Sequence, residues 1–487
     1  MRRIQLTFVI AVMALLLLPF VGMAWARTET TTENRSLAAF PEPMTDGVPT
    51  ITYLSELGTW YSDHFAYRSL LVSANARLQA NLLGVSSNSK VIVGTEGWLY
   101  YEGSLNDYVG VDIVTSEELN DTSRKLTDRE LANVAHNIFL FQGYVESQGA
   151  QFLFTVAPNK NTLYPEYMPS WYLPSAEPTN LERLVPFLET YGVNYLDLTE
   201  LLKGSENSLY LKRDTHWNNK GAYYGYDAIA AELGLTPLLA PKWSARVDRV
   251  GDLDTMLYPD APTLELQFYA PGINDGPGSA GSAWAYTGDA RAVTDDFIEA
   301  TGAGEGVVLV FRDSFGDSLL PYIAAGTERS YFSKLIPYNS LQVVDLQAGY
   351  VLVERAERHL NYLAETAPIA LSPAVKLNAS SARDEQDSER NTTIETETNG
   401  SLVSISGVID PGFPLAASAK IYVGIEGTQA DGMFFEAFGT SPDELHRGGG
   451  YLIYLPDTLF DLDSDSYTIK LFVAAGDELV MVKSVSY

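Results

Sequence analysis

The feature that most constrains the fold is a run of five apolar residues, Val307 to Phe311, that ends directly in Arg312-Asp313-Ser314. A β-branched run of this length is typical of a buried strand in a parallel sheet. Residues at the carboxyl end of such a strand face the crevice in which open α/β sheets bind ligands, and the backbone N–H groups of the next turn are unpaired. Ser314 is therefore predicted at a ligand-binding edge, where it suits a nucleophile.

Helical and strand patterns alternate along most of the chain, as expected for a parallel α/β sheet. One or two amphipathic helices are predicted over 51–83, before the sheet begins. Further helices are predicted over 128–148, 180–190 and 220–233 and from about residue 354, and strands over 152–156, 193–198 and 350–353. The Gly/Pro/Asp-rich stretch 251–304 is interpreted as an insertion that is either a lid over the site or a surface excursion.

A length of 487 residues predicts more than one domain. Arg2 and Arg3 precede an uncharged stretch that is long enough to span a bilayer, so residues 1–26 are predicted to be a signal peptide or a membrane anchor. The predicted divisions that follow are a polar spacer over 27–49, an α/β catalytic domain over 50–370, a linker over 371–400 and an all-β sandwich over 401–487.

Charge and cysteine content exclude several classes of function. The chain has 32 basic and 62 acidic residues and a formal net charge of −30, which repels a phosphate backbone and argues against a nucleic-acid partner. It has no cysteine, so disulfides, thiolate nucleophiles and cysteine-ligated zinc are excluded. Because no spaced His/Asp cluster typical of metal hydrolases accompanies His216, neither a metal nor a cofactor is predicted.

A second motif, Arg213-Asp214-Thr215-His216-Trp217-Asn218, lies just before the predicted helix 220–233. A histidine that acts as a general base needs an acceptor on its second ring nitrogen to fix its tautomer and orientation, and Asp214 is placed to supply one. The alternative interpretation is a capped helix start, in which Asn218 or Asn219 is the N-cap and His216 is merely hydrogen-bonded. The pairing with the Ser314 turn favours a catalytic role, which requires His216 to reach Ser314.

The Asp-x-His-Trp loop and the later Asp-Ser-Phe turn together resemble the SGNH-hydrolase-like O-acetyltransferases related to the alginate acetylation proteins, including the DHHW proteins. Shorter pieces that resemble this family occur in order between about residues 33 and 363: Glu33-Asn34-Arg35, Phe40-Pro41, Asp63-His64-Phe65 with Arg68, Gly97-Trp98-Leu99, Pro158 with Lys160, Tyr164-Pro165-Glu166 and Gly251-Asp252-Leu253. The resemblance implies an SGNH-like (flavodoxin-like) parallel sheet flanked by helices. It also implies a catalytic triad of Asp214, His216 and Ser314.

The order of the motifs differs from that of ordinary SGNH esterases. Those enzymes open with a Gly-Asp-Ser block, whereas here the serine block comes last and Arg312 stands where the glycine would be. The oxyanion hole therefore stays open among the backbone N–H groups of Ser314 and Phe315 and the side chains of Arg312 and Asn159. Three further residues, Lys160, Tyr164 and Trp217, are predicted to bind substrate, the aromatic ones by stacking on sugar rings.

The resemblance implies an exported, extracytoplasmic enzyme, secreted or anchored in the cell membrane, that moves acetyl groups onto an exported polysaccharide. Its expected partners are that polysaccharide, a membrane-bound acyl carrier protein and, if the N-terminal segment is uncleaved, the membrane itself. Two alternatives remain open. If water accepts the acyl group, the protein is a carbohydrate esterase; if Ser314 is silent, it is a glycan-binding component of an exopolysaccharide assembly complex.

Overall fold

The computed structural model describes residues 2–26, 37–45, 48–113, 123–203, 208–260, 262–274, 276–277, 281–289, 292, 294–386, 390–430, 432–460, 467–476 and 478–487. The Glu33-Asn34-Arg35 piece and the threonine-rich part of the predicted spacer lie outside these residues. The α-helices are, in chain order, α1 Arg2–Ala26, α2 Tyr53–His64, α3 Arg68–Leu83, α4 Leu105–Val109, α5 Asp128–Ser147, α6 Lys160–Leu163, α7 Asn180–Tyr191, α8 Thr199–Lys203, α9 Asn219–Glu232, α10 Asp252–Leu257, α11 Gly316–Gly326, α12 Gln342–Asp345 and α13 Leu360–Glu365.

The β-strands form one central sheet, a two-sheet C-terminal sandwich and three two-stranded sheets. They are β1 Met44–Thr45, β2 Val48–Pro49, β3 Val91–Val93, β4 Leu99–Tyr101, β5 Gln151–Ala157, β6 Tyr195–Asp197, β7 Ser244–Val250, β8 Leu264–Tyr269, β9 Trp284–Tyr286, β10 Phe297–Gly302, β11 Val307–Phe311, β12 Arg329–Ser333, β13 Tyr350–Ala356, β14 Ala374–Val375, β15 Arg383–Asp384, β16 Glu395–Asn399, β17 Leu402–Val408, β18 Lys420–Glu426, β19 Met433–Glu436, β20 Phe438–Thr440, β21 Gly450–Pro456, β22 Thr468–Ala475 and β23 Glu478–Ser486.

The central sheet has the order β6-β5-β13-β11-β12-β10-β9. The first five of these strands pair in parallel, and β10 and β9 add an antiparallel edge. The middle strands β5, β13 and β11 are buried on both faces, because helices cover the sheet from two sides, and this is why they read as nearly continuous apolar runs. The predicted α/β class with a parallel sheet flanked by helices is confirmed.

Local signals define the helices that cover the sheet. The long helix α5 begins with a capping box in which the Thr127 side chain accepts from the Glu130 backbone N–H and Glu130 accepts from Thr127 in return. Helix α7 begins with the same device, built from Thr179 and Glu182. Both helices fall where the apolar periodicity predicts them.

Two predictions within the α/β part need correction. No helix begins near residue 354, because β13 continues beside β5 as far as the Ala356 and Ala157 pair before the chain turns into a 3-10 helix over 357–359. The stretch 251–304 is not a single lid, because its last two strands join the central sheet as β9 and β10. The glycine-rich stretch before β9, with glycines at 272, 276, 278 and 281, hid the strand pattern.

The C-terminal region is an all-β sandwich of a six-stranded sheet, β14-β19-β18-β22-β23-β15, and a four-stranded sheet, β16-β17-β21-β20. The predicted linker 371–400 is wrong in extent, since it contains β14, β15 and β16. These three strands stand at sheet edges and are largely exposed, so they need few apolar residues and read as a polar linker. The core of the sandwich lies between the two sheets.

A buried polar contact joins the sandwich to helix α5. The carboxylate of Glu130 is fully buried; it pairs with Arg124 at 2.8 Å and with Arg447 at 3.0 Å, and it accepts from the Ser441 hydroxyl at 2.9 Å. Burial opposes ionisation, but hydrogen bonds from Arg124, the Thr127 backbone and Arg447 outweigh it and lower the pKa of Glu130 to about 2. The sandwich is therefore fixed to the α/β domain by paired charges.

Replacing Glu130 with Gln is expected to lower the free energy of unfolding by about 3 kcal/mol, because two arginines then lack their buried counter-charge. The matched control is Glu444→Gln, since Glu444 contacts the same Arg447 but is 81% exposed. Its effect should be below about 0.5 kcal/mol. Urea denaturation of both variants tests this, and equal midpoints for the two variants would contradict the role of Glu130.

Most of helix α1 is exposed. Within the described residues it is the helix that is long and apolar enough to cross a membrane, with a mean hydropathy of 2.6 over Gln5–Trp25. Only 6% of that segment is buried against the rest of the chain. Length and composition fit both a signal peptide and a membrane anchor.

Candidate active site

The structure brings the three predicted triad residues together. His216 Nε2 lies 2.8 Å from Ser314 Oγ, and His216 Nδ1 lies 2.7 Å from Asp214 Oδ1. Asp214 is fully buried, whereas the His216 side chain is 19% exposed and Ser314 is half-buried. A hydrogen-bonded chain with a buried carboxylate at one end and a solvent-accessible hydroxyl at the other is the arrangement that activates a serine nucleophile.

The Asp-x-His loop lies between β6 and α9. Asn218 caps α9 by accepting from the Gly221 N–H at 2.9 Å, so the helix cap proposed as the alternative is present. The cap does not account for His216, however, because the imidazole points away from the helix start and toward Ser314. Asp214 Oδ1 also accepts from the His216 backbone N–H at 3.1 Å, which fixes the loop and the ring together.

Lys160 is a support for this loop and does not face a substrate. It is 5% exposed, and its Nζ donates to the backbone carbonyls of Leu211, Lys212 and Asp214 at 3.2, 3.0 and 2.6 Å. Burial lowers the pKa of Lys160 to about 8. The predicted substrate contact is therefore corrected to a structural one, in which an ammonium group collects three carbonyls that the irregular loop leaves unpaired.

Of the aromatic residues predicted to bind sugar, Trp217 is internal and Tyr164 is half-buried. Trp217 is 1% exposed, and its Nε1 donates to the Phe315 carbonyl at 3.1 Å, which ties the histidine loop to the serine turn. The Tyr164 hydroxyl accepts from the Leu209 N–H at 2.9 Å, and its ring packs on Trp98. A buried ring cannot stack on a sugar, so the prediction for Trp217 is wrong, and Tyr164 braces the same loop from behind.

Buried charges hold the serine turn after β11. Asp313 Oδ2 accepts from the Ala356 N–H at 2.7 Å and lies 2.6 Å from His359 Nδ1. Arg312 is fully buried; it pairs with Asp317 and donates to the Asp313 carbonyl at 3.2 Å. A substrate cannot reach Arg312, so its predicted part in the oxyanion hole is corrected to support of the turn.

Gly316 explains how an arginine fits in this turn. A Cβ at Gly316 would lie 2.6 Å from Arg312 Cβ and 2.7 Å from its Cδ, which is closer than side chains pack. Arg312 stands where SGNH esterases have the glycine of their Gly-Asp-Ser block. Its side chain fits there because position 316 is a glycine.

The predicted oxyanion donors divide into engaged and available groups. The Phe315 N–H donates to Asp313 Oδ1 at 2.9 Å, so this predicted donor is already occupied. The Ser314 N–H has no acceptor among the described residues. Asn159, in the loop after β5, is 3% exposed, and in the described part of the chain its side-chain amide, including the donor atom Nδ2, has no hydrogen-bond partner. The Ser314 N–H and the Asn159 amide are therefore the groups left to receive an oxyanion.

Two residues near the triad were missed by sequence reasoning. Asp252 belongs to the Gly251-Asp252-Leu253 piece, to which the sequence assigned no role; it accepts from the Thr215 N–H at 2.8 Å, and its Oδ2 lies 3.7 Å from His216 Nδ1. A Cβ at Gly251 would lie 2.1 Å from the Arg213 carbonyl, so the glycine lets Asp252 approach the loop. Arg249, on β7, donates to Asp214 Oδ2 at 3.0 Å. In the sequence, the Gly251-Asp252 pair was the one indication that a further residue lies near the triad.

Comparisons with known proteins agree with the motifs. Residues 91–258 match the model of a family described as "SGNH hydrolase-like domain, acetyltransferase AlgX". This segment is similar to an SGNH hydrolase-like domain. It contains Asp214 and His216, and the match ends before Ser314. The predicted family resemblance is confirmed.

A curated relative and several solved structures are also similar. The probable alginate O-acetylase AlgJ of Pseudomonas syringae pv. tomato is 25% identical over 181 residues, which span 36% of this chain and 40% of that protein. The chain thus matches less than half of the length of that relative.

Among solved structures, PatB1 of Bacillus cereus is 17% identical, covers 55% of this chain and 96% of its own, and has a TM-score of 0.41. A DHHW family protein of Eubacterium siraeum is 16% identical with coverages of 55% and 94% and a TM-score of 0.38. The O-acetyltransferase domain of Pseudomonas putida AlgJ is 16% identical with coverages of 55% and 91% and a TM-score of 0.36. The assignment does not rest on these low TM-scores.

The charges around the SGNH-like site set the basicity of His216. Burial lowers the pKa of His216, but the hydrogen bond and charge of Asp214 outweigh it, with a smaller contribution from Asp252, so the pKa is raised above its usual 6.5. A raised pKa favours the imidazolium that forms when the base takes the serine proton. Because the base must start neutral, activity is expected to fall as the pH drops through this raised pKa.

Asp214, His216 and Asp252 also offer ligand atoms within 4.8 Å of one another, a spacing that a metal ion tolerates. Each is committed within the SGNH-like domain: His216 Nδ1 to Asp214, Asp214 to Arg249, and Asp252 to Thr215. A cation would have to displace the Arg249 guanidinium. The expectation that no metal or cofactor is used stays a prediction.

Arg249→Gln and Asp252→Asn are expected to shift the acid limb of the kcat/KM profile in opposite directions. Losing the Arg249 cation raises the pKa of His216 and moves the limb to higher pH, whereas losing the Asp252 charge moves it to lower pH, each by roughly half a unit to one unit. Arg246→Gln is the control, because Arg246 lies on the same strand but pairs with Asp248. Shifts of the same sign in both variants would contradict this electrostatic account.

Proposed function

We propose that this protein is an extracytoplasmic O-acetyltransferase that moves an acetyl group through an acyl-serine onto hydroxyls of an exported polysaccharide. The observation that carries the proposal is the continuous relay from Ser314 through His216 to Asp214, with distances of 2.8 and 2.7 Å. The family match supports polysaccharide acetyltransfer as the class of reaction.

In the first half-reaction, His216 Nε2 takes the proton of Ser314 while Oγ bonds to the carbonyl carbon of the acetyl donor. The donor oxygen then leaves with the proton from His216, which yields an acetyl-serine. In the second half-reaction, a sugar hydroxyl gives its proton to His216 and attacks the same carbon. Ser314 recovers the proton as the acetyl–serine bond breaks. Asp214 holds Nδ1–H throughout and stabilises the imidazolium.

The oxyanion formed in both halves is proposed to bind the Ser314 N–H and the Asn159 amide. Both groups lie at the carboxyl ends of central strands, after β11 and β5, and among the described residues neither the Ser314 N–H nor Asn159 Nδ2 has a hydrogen-bond partner to give up. Preorganised donors of this kind typically contribute about 3 kcal/mol to a transition state.

The proposed acceptor and partners follow from the relatives and from α1. The name of the AlgJ relative specifies alginate, and we extend to this chain only the class of an exported polysaccharide. The proposed donor is an acyl group delivered by a membrane-bound acyl carrier protein. Helix α1, which has the length and composition of a signal peptide or a membrane anchor, supports such a location.

The test incubates full-length protein in detergent with an aryl acetate and a panel of neutral and anionic oligosaccharides. Transfer predicts acetylated oligosaccharide by mass spectrometry and release of the aryl leaving group that accelerates with acceptor concentration. Release of acetate alone, at a rate that no acceptor changes, would indicate an esterase. If glycan binds but neither product appears, the protein is a binding component and the proposal fails.

A further inference from the structure

The inference concerns helix α3, which is inverted relative to an ordinary surface helix. Its buried positions hold small side chains: Ser73 is 3% exposed and Ala76 is fully buried against the cluster that includes Leu253 and Leu257 of α10. Its large apolar side chains point outward: Leu70, Leu71, Leu78, Leu82 and Leu83 are exposed. A helix of a soluble domain normally buries its leucines and exposes its small and polar residues.

Three of the exposed leucines form one face, and the helix has a distinctive charge. Leu71, Leu78 and Leu82 are seven and four residues apart, so they share one side of the helix. The helix carries Arg68 and Arg77 and no acidic residue, although the whole chain has a net charge of −30. An exposed patch of leucines beside arginines fits a lipid surface with anionic headgroups.

The last third of α1 packs on the corner between α2 and α3. The Ala66 N–H donates to the Pro19 carbonyl at 3.2 Å, and the rings of Phe20 and Tyr61 lie 6.0 Å apart. Gly22 is buried there, and a Cβ at this position would lie 2.7 Å from Ala66 Cβ. A signal peptide that is removed has no need of such a close fit, because cleavage after residue 26 would abolish it.

These contacts set the depth of the corner relative to a bilayer. Trp25 is a residue type that suits the membrane interface. Pro19 lies six residues before it and Gly22 three, which corresponds to about 9 and 5 Å along the helix. Amphipathic helices that lie in an interface are buried by about 5–10 Å. The α2–α3 corner therefore meets α1 at the depth at which an interfacial helix lies.

We propose that α1 is retained as an anchor and that the leucine face of α3 lies in the outer leaflet at the boundary between headgroups and acyl chains. The occupant of this face is lipid, because α1, which is long and apolar enough to cross a membrane, packs on the corner at which α3 begins, and because α3 has two arginines and no acidic residue. This contact would hold the catalytic domain against the membrane surface. The inference goes beyond the proposed reaction and does not depend on it.

The experiment uses full-length protein in vesicles of phosphatidylcholine and phosphatidylglycerol. Because the chain has no cysteine, a fluorophore can be attached at Leu78→Cys, with Leu239→Cys as a control that is 92% exposed on the same domain. The intact mass of the extracted protein first establishes whether residues 1–26 remain. Fluorescence is then quenched either by spin labels on lipid acyl chains or by aqueous iodide.

The expected result is an uncleaved chain in which the probe at residue 78 is quenched several-fold more by the lipid label than by iodide, while the control shows the reverse. A mature chain that begins near residue 27 overturns the proposal. Iodide quenching at residue 78 equal to the control also overturns it. Protection from both quenchers that disappears when the protein is diluted among vesicles identifies a second copy as the occupant and excludes lipid. Catalytic activity is not measured, so failure of the proposed function leaves this test intact.

Discussion

Ser314→Ala is expected to lower kcat for acetyl release from an aryl acetate by about 10⁴-fold or more. Ser314 Oγ is the atom 2.8 Å from His216 Nε2, and without it no acyl-enzyme forms. What remains should reflect the available oxyanion donors and substrate binding, as in other serine enzymes that lack their nucleophile. The measurement is release of the aryl leaving group under saturating substrate, with intact-protein mass to detect an acetyl adduct.

The matched control is Ser318→Ala, in the first turns of α11. Ser318 is also half-buried, and it lies one helical turn from the nucleophile. This variant should keep activity within about a factor of two, because surface substitutions outside the site change little. An acetyl adduct in Ser314→Ala, or a loss in Ser318→Ala as large as in Ser314→Ala, would contradict the assignment of the nucleophile.

Asp214→Asn is expected to lower kcat/KM by about 10⁴-fold with the fold intact. The carboxylate fixes the proton on Nδ1 and stabilises the imidazolium, whereas an amide can offer an N–H to Nδ1 and select the wrong tautomer. Burial opposes ionisation of Asp214, but its contacts with His216 and Arg249 outweigh this and hold its pKa below the usual range. The carboxylate is therefore charged across the working pH range, and only the substitution removes it.

Asp252→Asn is the natural comparison for this variant. Its carboxylate approaches the same His216 Nδ1 but at 3.7 Å, and it accepts hydrogen bonds from Thr215. Its loss should be about tenfold or less, in line with a positioning charge. If Asp252→Asn lost more activity than Asp214→Asn, then Asp252 would be the orienting carboxylate. Circular dichroism of both variants checks the fold.

The sequence was most informative where local pattern alone determines the structure, as in a strand that is buried on both faces. The apolar run into Ser314 predicted β11 because a strand buried on both faces must be apolar throughout, and the Asp-x-His spacing identified the two residues that meet at 2.7 Å. Helix α5 could be placed because its capping box and its periodicity agree.

The errors arose where tertiary contacts decide the role of a residue. Arg312, Lys160 and Trp217 are residue types that often bind substrate, but here buried partners take their polar groups. Asp252 could not be recognised as a neighbour of His216, because the approach depends on how Gly251 packs against Arg213, 38 positions earlier in the chain. Edge strands such as β16 were missed because exposed strands need no apolar pattern.

The contacts also explain why the two catalytic motifs work as a unit although 98 residues separate His216 from Ser314. Trp217, which follows His216, donates a hydrogen bond to the carbonyl of Phe315, which follows Ser314. This contact holds the histidine loop and the serine turn together. Lys160 fixes the other side of the histidine loop through the Asp214 carbonyl. The geometry at the reacting atoms thus depends on buried groups that no substrate touches.

The most direct test of the triad is peptide mass mapping of full-length protein after reaction with a small sulfonyl fluoride. This reagent modifies a serine only when a neighbouring base activates it, so it reports the Ser314–His216 relay without needing the natural donor or acceptor. The account predicts a single sulfonylated peptide containing Ser314, formed rapidly in the wild type and suppressed in His216→Ala. A sulfonyl group on any other serine, or equal modification in His216→Ala, would contradict it.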